Sequence, residues 1–454
     1  MRQYVLKVHD KDSLSESEIF TGEVARINSY KDMRPPYGIK NPYMSKVINA
    51  RELYRGERSC LHVEFDMGNE MLAYDTGDHL VIFPENDPAL VNTIGRLLNV
   101  DLDQVISLTN VDPLSSRRTP FPCPCSYRTA LTYYVDITGS IRMHTLRDLI
   151  PFAGNDEDRD FLNVLSTPDD IGKAKYKNWV VDDCRNIVHI LEDLTSLRPP
   201  LDFLLELLPR LQSRYYSISS SALASPRVAS ITASIVEYRT PTGRVNTGVT
   251  TGFLKRKLAP LNGVVRDDVR LPVCFVRSQF RLPKLINDKM PPIIMIGPGT
   301  GLAPMRGFLQ ELEYLKLTKN KKLDDVVLYY GCRHKNQDYL YQDELKRFNT
   351  NGTLTHLRVA FSRDQPEKVY VTHLLKQNRE ETWEILHKKE GYIYVCGEAR
   401  NMAKEVHQII FDIILENLKK FLPSDISDSD LHKKASEYFK NLESQRRYQA
   451  DVWS

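Results

Sequence analysis

No pair of cysteines in this chain is spaced as C-x-x-C. The seven cysteines stand at 60, 123, 125, 184, 274, 332 and 396, an odd and scattered set. That argues against a disulfide framework and against a zinc site, and makes a reducing compartment the simpler expectation. An excess of either charge is lacking too. Lys and Arg number 62 against 59 Asp and Glu, so no electrostatic case for a nucleic-acid partner exists. The opening MRQYVLKVHDKD has no apolar centre of a signal peptide. No run approaches the roughly 18 apolar residues of a membrane helix, so as given the molecule reads as soluble. Internal repeats and low-complexity segments are missing as well. What is present is an ordinary globular composition, 41% apolar and 27% charged, over 454 residues that call for two or three domains.

The most informative stretch is 293–308, IIMIGPGTGLAPMRGF. Four apolar residues read as a short buried strand. Gly297, Gly299 and Gly301 follow on alternate positions, and Pro304 suits a first helical turn. Leu302, Met305, Phe308, Leu309, Leu312 and Leu315 then recur at helical spacing. A strand, a glycine turn and a helix N-terminus make a phosphate cradle, because unpaired N–H groups and the helix dipole face the anion. The spacing is G-x-G-x-G, with Leu302 where the dinucleotide fingerprint has its third glycine.

Around this stretch the chain divides into four. Residues 1–85 read as strands and turns, with apolar segments at 44–49, 61–65 and 79–83. From 86 to 210 helical spacing dominates, as in Leu90, Val91, Ile94, Leu97 and Leu98, without phosphate loop or metal spacing. Residues 211–285 return to alternation, and the turn at 240–243 and Gly248 punctuate it. A strand region split by a helical insertion predicts one antiparallel barrel in two pieces. From 286 to 454 strands and helices alternate, with a helix expected from about Ala399, which predicts an open, doubly wound parallel sheet. A last helix starting near Ser427 or Ser429 gives way to a tail at 448–454.

Arg214-Tyr215-Tyr216-Ser217 joins a cation for phosphate, flat faces for stacking and a hydroxyl for a ring nitrogen. Gly248-Val249-Thr250-Thr251 allows a second close backbone approach to phosphate, ahead of a helix expected from Gly252. Cys396 ends a strand before Gly397, where a planar ring can approach. A surface arginine beside core tyrosines, a hairpin glycine and a buried apolar cysteine are the plain structural readings of the same residues.

Taken in order, RYYSISSS, TGVTTGFL, IGPGTGLAPMRGF, YYGCR, AFSRDQ, YVCGEARNMA and DVWS resemble the ferredoxin–NADP reductase superfamily. Within it they are most similar to the diflavin group, the NADPH–cytochrome P-450 reductases. The resemblance runs from NPYMSKVINARELYRG through SYRTALTYYVDIT to the last residues. It implies an FAD-binding barrel, a helical connecting domain inserted in it and an NADP-binding domain. Arg128, Arg214, Tyr215, Tyr216 and Ser217 then match flavin contacts, as do Thr232, Ala233, Ser234, Tyr238, Gly248, Val249, Thr250 and Thr251. Arg51, Thr300, Ser362, Arg363, Lys368, Val369, Tyr370, Val371, Thr372 and Glu405 match NADPH contacts. Ser217, Cys396, Asp451 and Trp453 match the hydride-transfer residues, with Trp453 covering the flavin until nicotinamide displaces it. Departures are Ser234, Thr372 in place of glutamine, Glu398 in place of aspartate and Met305 in place of phenylalanine.

The implied activity is that of an NADPH–haemoprotein reductase. Hydride passes from NADPH to FAD, then electrons pass through an FMN-binding domain to cytochrome P-450-type haem proteins. No flavodoxin-like segment precedes the barrel here and no metal ligands are implied. An anchored longer form would sit on the cytosolic side of the endoplasmic reticulum. Sibling reductases of the sulfite, methionine synthase or nitric oxide synthase type, and a catalytically silent NADP-binding module, are the alternatives.

Overall fold

The computed structural model describes residues 3–10, 13–22, 25–26, 34–68, 72–258, 269–423 and 426–453. Six strands form the first large sheet: β1 (Tyr43–Glu52), β2 (Cys60–Asp66), β3 (His79–Ile82), β4 (Arg214–Ser217), β5 (Val228–Ser234) and β6 (Arg270–Val276). Their spatial order is β5-β2-β1-β6-β3-β4, and every pair is antiparallel. A bridge between Ile218 and Ile231 brings the end of β4 back to β5, which closes the sheet into a barrel. Alternation along β5 explains how the barrel is used. Ala229, Ile231 and Ala233 fill its core, while Ser230 and Thr232 point the other way and are buried under the next domain.

The sequence reading put all of residues 1–85 in the barrel, and here the strand pairing corrects it. Tyr4–Val8 pairs antiparallel with Val105–Asn110, in a separate five-stranded sheet with Cys125–Ser126, Phe20–Gly22 and Ala25–Arg26. Tyr4 is buried in the core of the helical region, so the first strands belong there and the barrel begins at Tyr43. Short strands with one exposed face carry no signal for which sheet they join. Positions 27–33 and 69–71 of that reading lie outside the described residues. The helical region itself includes Pro88–Leu98, capped by the Asp87 carboxylate on the Ala89 N–H at 2.8 Å, and Leu201–Leu207.

The last part holds five parallel strands in the order β9-β8-β7-β10-β11: β7 (Ile293–Ile296), β8 (Val326–Cys332), β9 (His356–Phe361), β10 (Tyr392–Glu398) and β11 (Tyr448–Trp453). All four residues of β7 are buried, which is why it reads as an unbroken apolar run. The expected tail is therefore a strand, paired with β10 from Ile393–Tyr448 to Glu398–Trp453. Its alternation is too short and too exposed to be distinguished from a tail.

Two helix starts also shift from expectation. The helix α1 (Val249–Lys257) opens at Val249, not Gly252. After α2 (Leu302–Thr318), the helix α3 (Met402–Phe421) opens three residues later than the sequence suggests. There the Glu398 carboxylate accepts N–H bonds from Arg400 at 2.5 Å and Asn401 at 2.8 Å. Ser427 caps the final helix α4 (Asp428–Ser444), accepting from the Asp430 N–H at 3.1 Å.

A satisfied polar seam joins barrel to parallel sheet. Buried Arg306 on α2 donates to the Ser219 carbonyl at 2.7 Å and to Glu344 at 2.8 and 3.1 Å, and lies 4.5 Å from the Tyr341 ring centre. The Tyr341 hydroxyl meets His62 Nδ1 at 2.9 Å and the Thr232 hydroxyl at 2.7 Å. With each buried group partnered, the seam fixes how the two domains face one another.

Candidate functional site

At the seam the carboxyl end of the parallel sheet faces the barrel edge, where ligands of open α/β sheets bind. A cavity of about 520 Å³ opens there. Its walls come from β4, β5, the start of α1, the turn after β7 and the end of β11. Two glycines make that turn possible. Gly299 adopts φ +57, a left-handed conformation that favours glycine. A Cβ on Gly301 would lie 2.1 Å from the Cys396 carbonyl oxygen, so only glycine lets α2 start this close to β10.

One end of the cavity gathers Ser217, His79, Asp451 and Trp453. The Ser217 hydroxyl donates to Asp451 Oδ2 at 2.7 Å. His79 Nε2 lies 3.0 Å from Asp451 Oδ1, so both carboxylate oxygens are engaged. Cys396 is the parallel-strand partner of Asp451 and is fully buried. Burial first, and the Asp451 carboxylate second, push its thiol well above the ordinary cysteine range, against a smaller opposing pull from Ser217. The thiol is therefore held protonated. Trp453 closes this end, 42% exposed, with its carbonyl held by the Ala399 N–H at 2.8 Å. Three remote segments thus converge on one point.

His79 was missed by the sequence reading. It stands opposite Ser217 only because β3 pairs with β4, and that pairing leaves no signal along the chain.

The other end suits a pyrophosphate. Gly248, Val249, Thr250 and Thr251 line the cavity at the start of α1, and its N-cap, Gly248, supplies no side-chain cap. The Thr250 hydroxyl is buried without a hydrogen-bond partner among the described residues. A free helix N-terminus and an orphaned hydroxyl are what a phosphate group would satisfy, so the residues present fit an FAD there. Arg214, Tyr215, Tyr216, Thr232 and Ser234 complete the barrel wall, and Thr300 contributes from the nucleotide side.

Outside the cavity, Ser362 and Arg363 follow β9, and their backbone N–H groups bond the Cys332 and Arg333 carbonyls at 2.9 Å each. Arg363, Lys368 and Tyr370 are exposed around this loop. Arg363 shares a depression of about 400 Å³ with Arg55, Arg58, Arg333 and His334.

Several expected contacts are placed elsewhere. Ala233 points into the barrel core, so only its backbone faces outward. Val371 and Thr372 are buried at the start of the helix Val371–Gln377, and Val369 packs on the same core. The Thr372 hydroxyl also lacks a partner among the described residues. Arg128 is bound to Asp103 at 2.7 and 3.1 Å and to Asn92 at 2.8 Å, in a separate depression beside Arg96. Arg51 lies in a neighbouring hollow, 3.2 Å from Glu344. Glu405 pairs with Lys376 at 3.6 Å. Tyr238 stands on an exposed hairpin next to the cavity. Sequence pattern carries no information about which partner a long side chain selects.

Among the described residues no helix is long and apolar enough to cross a membrane.

Comparison with known proteins agrees with this geometry. Residues 35–253 match the FAD binding domain family, and residues 295–408 match the oxidoreductase NAD-binding domain family. The whole chain is 46% identical to an NADPH–cytochrome P450 reductase of Musca domestica, and 45% identical to those of Drosophila melanogaster and Rattus norvegicus. In each case the match covers 100% of this chain and 64% of the relative, so the chain spans a little under two thirds of the curated relatives' length. The split barrel and the parallel sheet therefore match the FAD-binding and oxidoreductase NAD-binding domain families, and the chain as a whole is similar to the FAD- and NADPH-binding part of these reductases.

Proposed function

We propose that this chain takes hydride from NADPH onto FAD and sends electrons on, through an FMN-binding module, to cytochrome P-450-type haem proteins. The observation that carries the reading is the convergence of Ser217, Cys396 and Asp451 at one end of a cavity whose other end suits a pyrophosphate. Bound FAD would supply the redox chemistry, accepting a hydride and releasing its electrons singly.

The chain's own residues do the rest. Arg214 and the open start of α1 would hold the phosphate, and Tyr216 would offer a flat face to the flavin. The Asp451 carboxylate stabilises the positive charge that a nicotinamide gains as its hydride leaves. The Ser217 hydroxyl, aimed by Asp451, would orient the acceptor edge, and the neutral Cys396 thiol lies buried behind this pair without adding charge. Trp453, half-exposed at the cavity, would cover bound flavin until nicotinamide replaces it. Thr300 faces the NADPH pyrophosphate, with Arg51 reaching it once released from Glu344. Ser362, Arg363, Lys368 and Tyr370 recognise the 2′-phosphate. The same reading places the working enzyme at the cytosolic face of the endoplasmic reticulum.

Purified chain should bind FAD, and NADPH should bleach the bound flavin under anaerobic conditions. Ferricyanide should be reduced directly, whereas cytochrome reduction should require an added FMN module. A colourless chain that refuses FAD and leaves NADPH absorbance unchanged would end this reading.

A further inference from the structure

Between Val236 and Gly248, two residues that line the cavity, the chain leaves the barrel as a hairpin of Glu237–Arg239 paired with Val245–Thr247. All three residues of its first strand are exposed, so apolar packing does little to hold it. Its tip is fixed by the helical region instead. The Asp183 side chain is 4% exposed and accepts the Thr242 N–H at 2.9 Å and the Thr242 hydroxyl at 2.9 and 2.7 Å. Arg185 supports it from behind, 2.7 Å from Asp183 Oδ2 and 2.9 Å from Asp193, with its guanidinium 4.4 Å from the Trp179 ring centre. Arg244 of the hairpin pairs with Asp193 and comes within 3.7 Å of Asp183. The Asn246 amide donates to the Cys184 carbonyl at 3.1 Å.

Burial pushes the Asp183 carboxyl upward, but Thr242, Thr240 and Arg185 outweigh it and leave it below the usual range. The carboxylate is thus ionised and fully employed. Movement of the hairpin is also coupled to the cavity floor. The Gly248 N–H bonds the Val236 carbonyl at 2.8 Å, and the Val236 N–H bonds the Thr251 hydroxyl at 3.2 Å.

We propose that Asp183 and Arg244 form a clamp through which the helical region sets how tightly the cavity holds the adenosine-diphosphate half of FAD. They are positioning residues, acting through Gly248–Thr251 and Tyr238, and the proposal rests on the reading that FAD occupies this cavity with its pyrophosphate at α1.

The test replaces Thr242, exposed at the hairpin tip, and Arg244 together, Thr242→Ala with Arg244→Ala, which leaves the buried Asp183–Arg185 pair intact. FAD dissociation constants and release rates are measured by flavin fluorescence on deflavinated protein, with FMN as a second ligand lacking the adenosine half. FAD affinity should fall at least threefold and FAD release should quicken by a similar factor, while FMN affinity stays within twofold. Arg244→Lys alone, which keeps the charge facing Asp193, should retain the parental FAD affinity. An FAD change below threefold, or an equal loss for FMN, overturns the clamp. Failure of the parent chain to bind FAD would instead overturn the cavity reading.

Discussion

On the function proposed above, two regions of this molecule serve the same dinucleotide in opposite ways. At the cavity's reactive end, Ser217, Cys396 and Asp451 come from segments almost 180 and 55 residues apart, and each side chain is already committed to a neighbour. In the loop after β9, Ser362, Arg363, Lys368 and Tyr370 lie within nine residues, and the cations are exposed. On the proposed function, the first arrangement would stabilise charge that develops during reaction, so its groups must be oriented beforehand. The second would only have to meet a dianion, which exposed cations can do through charge-assisted bonds. Chemistry would then be built into the fold, and preference for one nucleotide carried by a short piece of chain.

The strongest way to break this contrast is at Asp451. Asp451→Ala should slow NADPH-dependent flavin reduction by about 10²–10³-fold, the usual loss on removing one preoriented electrostatic group. Stopped-flow absorbance would show it, with NADPH binding little changed. If the site acts as a unit, adding Ser217→Ala to Asp451→Ala should cost far less than the sum of the two single effects. Full additivity would mean that the hydrogen bond between them is incidental.

Next in size is the loop. Arg363→Ala should raise the NADPH KM by about 10–10²-fold, from the loss of one charge-assisted bond worth about 1.5–3 kcal/mol, and leave the NADH value nearly unchanged. Here Arg363→Ala and Lys368→Ala should add, since exposed, separately solvated cations do not depend on each other. Equal changes for NADPH and NADH would remove the loop from 2′-phosphate recognition.

How legible each region was follows from the same difference. Contiguous residues with distinct chemistry, such as RYYS, GVTT and SR, can be read along the chain, and the cavity brings the first two together. Periodicity likewise exposed β7 and α2, because a buried strand and an apolar helix face leave strong patterns. The partners of long side chains left none. Arg128 turns to Asp103 and Asn92, and Arg51 turns to Glu344, although both were expected at cofactor phosphates. β11 was read as a tail because its pairing depends on a strand 55 positions earlier, and Tyr4–Val8 was assigned to the wrong sheet for the same reason. His79 belongs to this class too, being significant only once β3 lies against β4.

Trp453 sits between the two regions in character: its backbone is paired with β10, yet its side chain is 42% exposed at the cavity. Trp453→Ala should strengthen nicotinamide occupancy and raise the use of NADH relative to NADPH by roughly three- to tenfold, given about 0.5–1.5 kcal/mol for an aromatic contact. Unchanged nucleotide preference would show that the ring does not compete with nicotinamide.

The last effects bear on stability rather than turnover and should arise at the seam, where two carboxylates face opposite pressures. Asp78 is fully buried and accepts N–H bonds from Asp75 and Ser278 at 2.9 Å each, with Arg281 and Arg277 beside it. Burial pushes its carboxyl upward, but these partners outweigh it and hold it below the ordinary range. Its stabilisation is therefore present above the unfolded value and lost as pH falls through the folded one. Glu311 is different. Burial raises its carboxyl above the ordinary range, and only the Thr76 and Ser221 hydroxyls oppose this from within bonding distance. Ionising it costs stability once pH exceeds the unfolded value. Asp78→Asn should thus destabilise by about 1–3 kcal/mol at pH 7 and converge on the parent in acid. Glu311→Gln should equal or exceed the parent at pH 8 and lose that advantage near pH 4. Urea unfolding at pH 8, 7 and 4, and for Asp78→Asn also at about pH 2, below the folded carboxyl range, decides the matter, because parallel shifts for both variants would mean that the seam does not treat the two carboxylates differently.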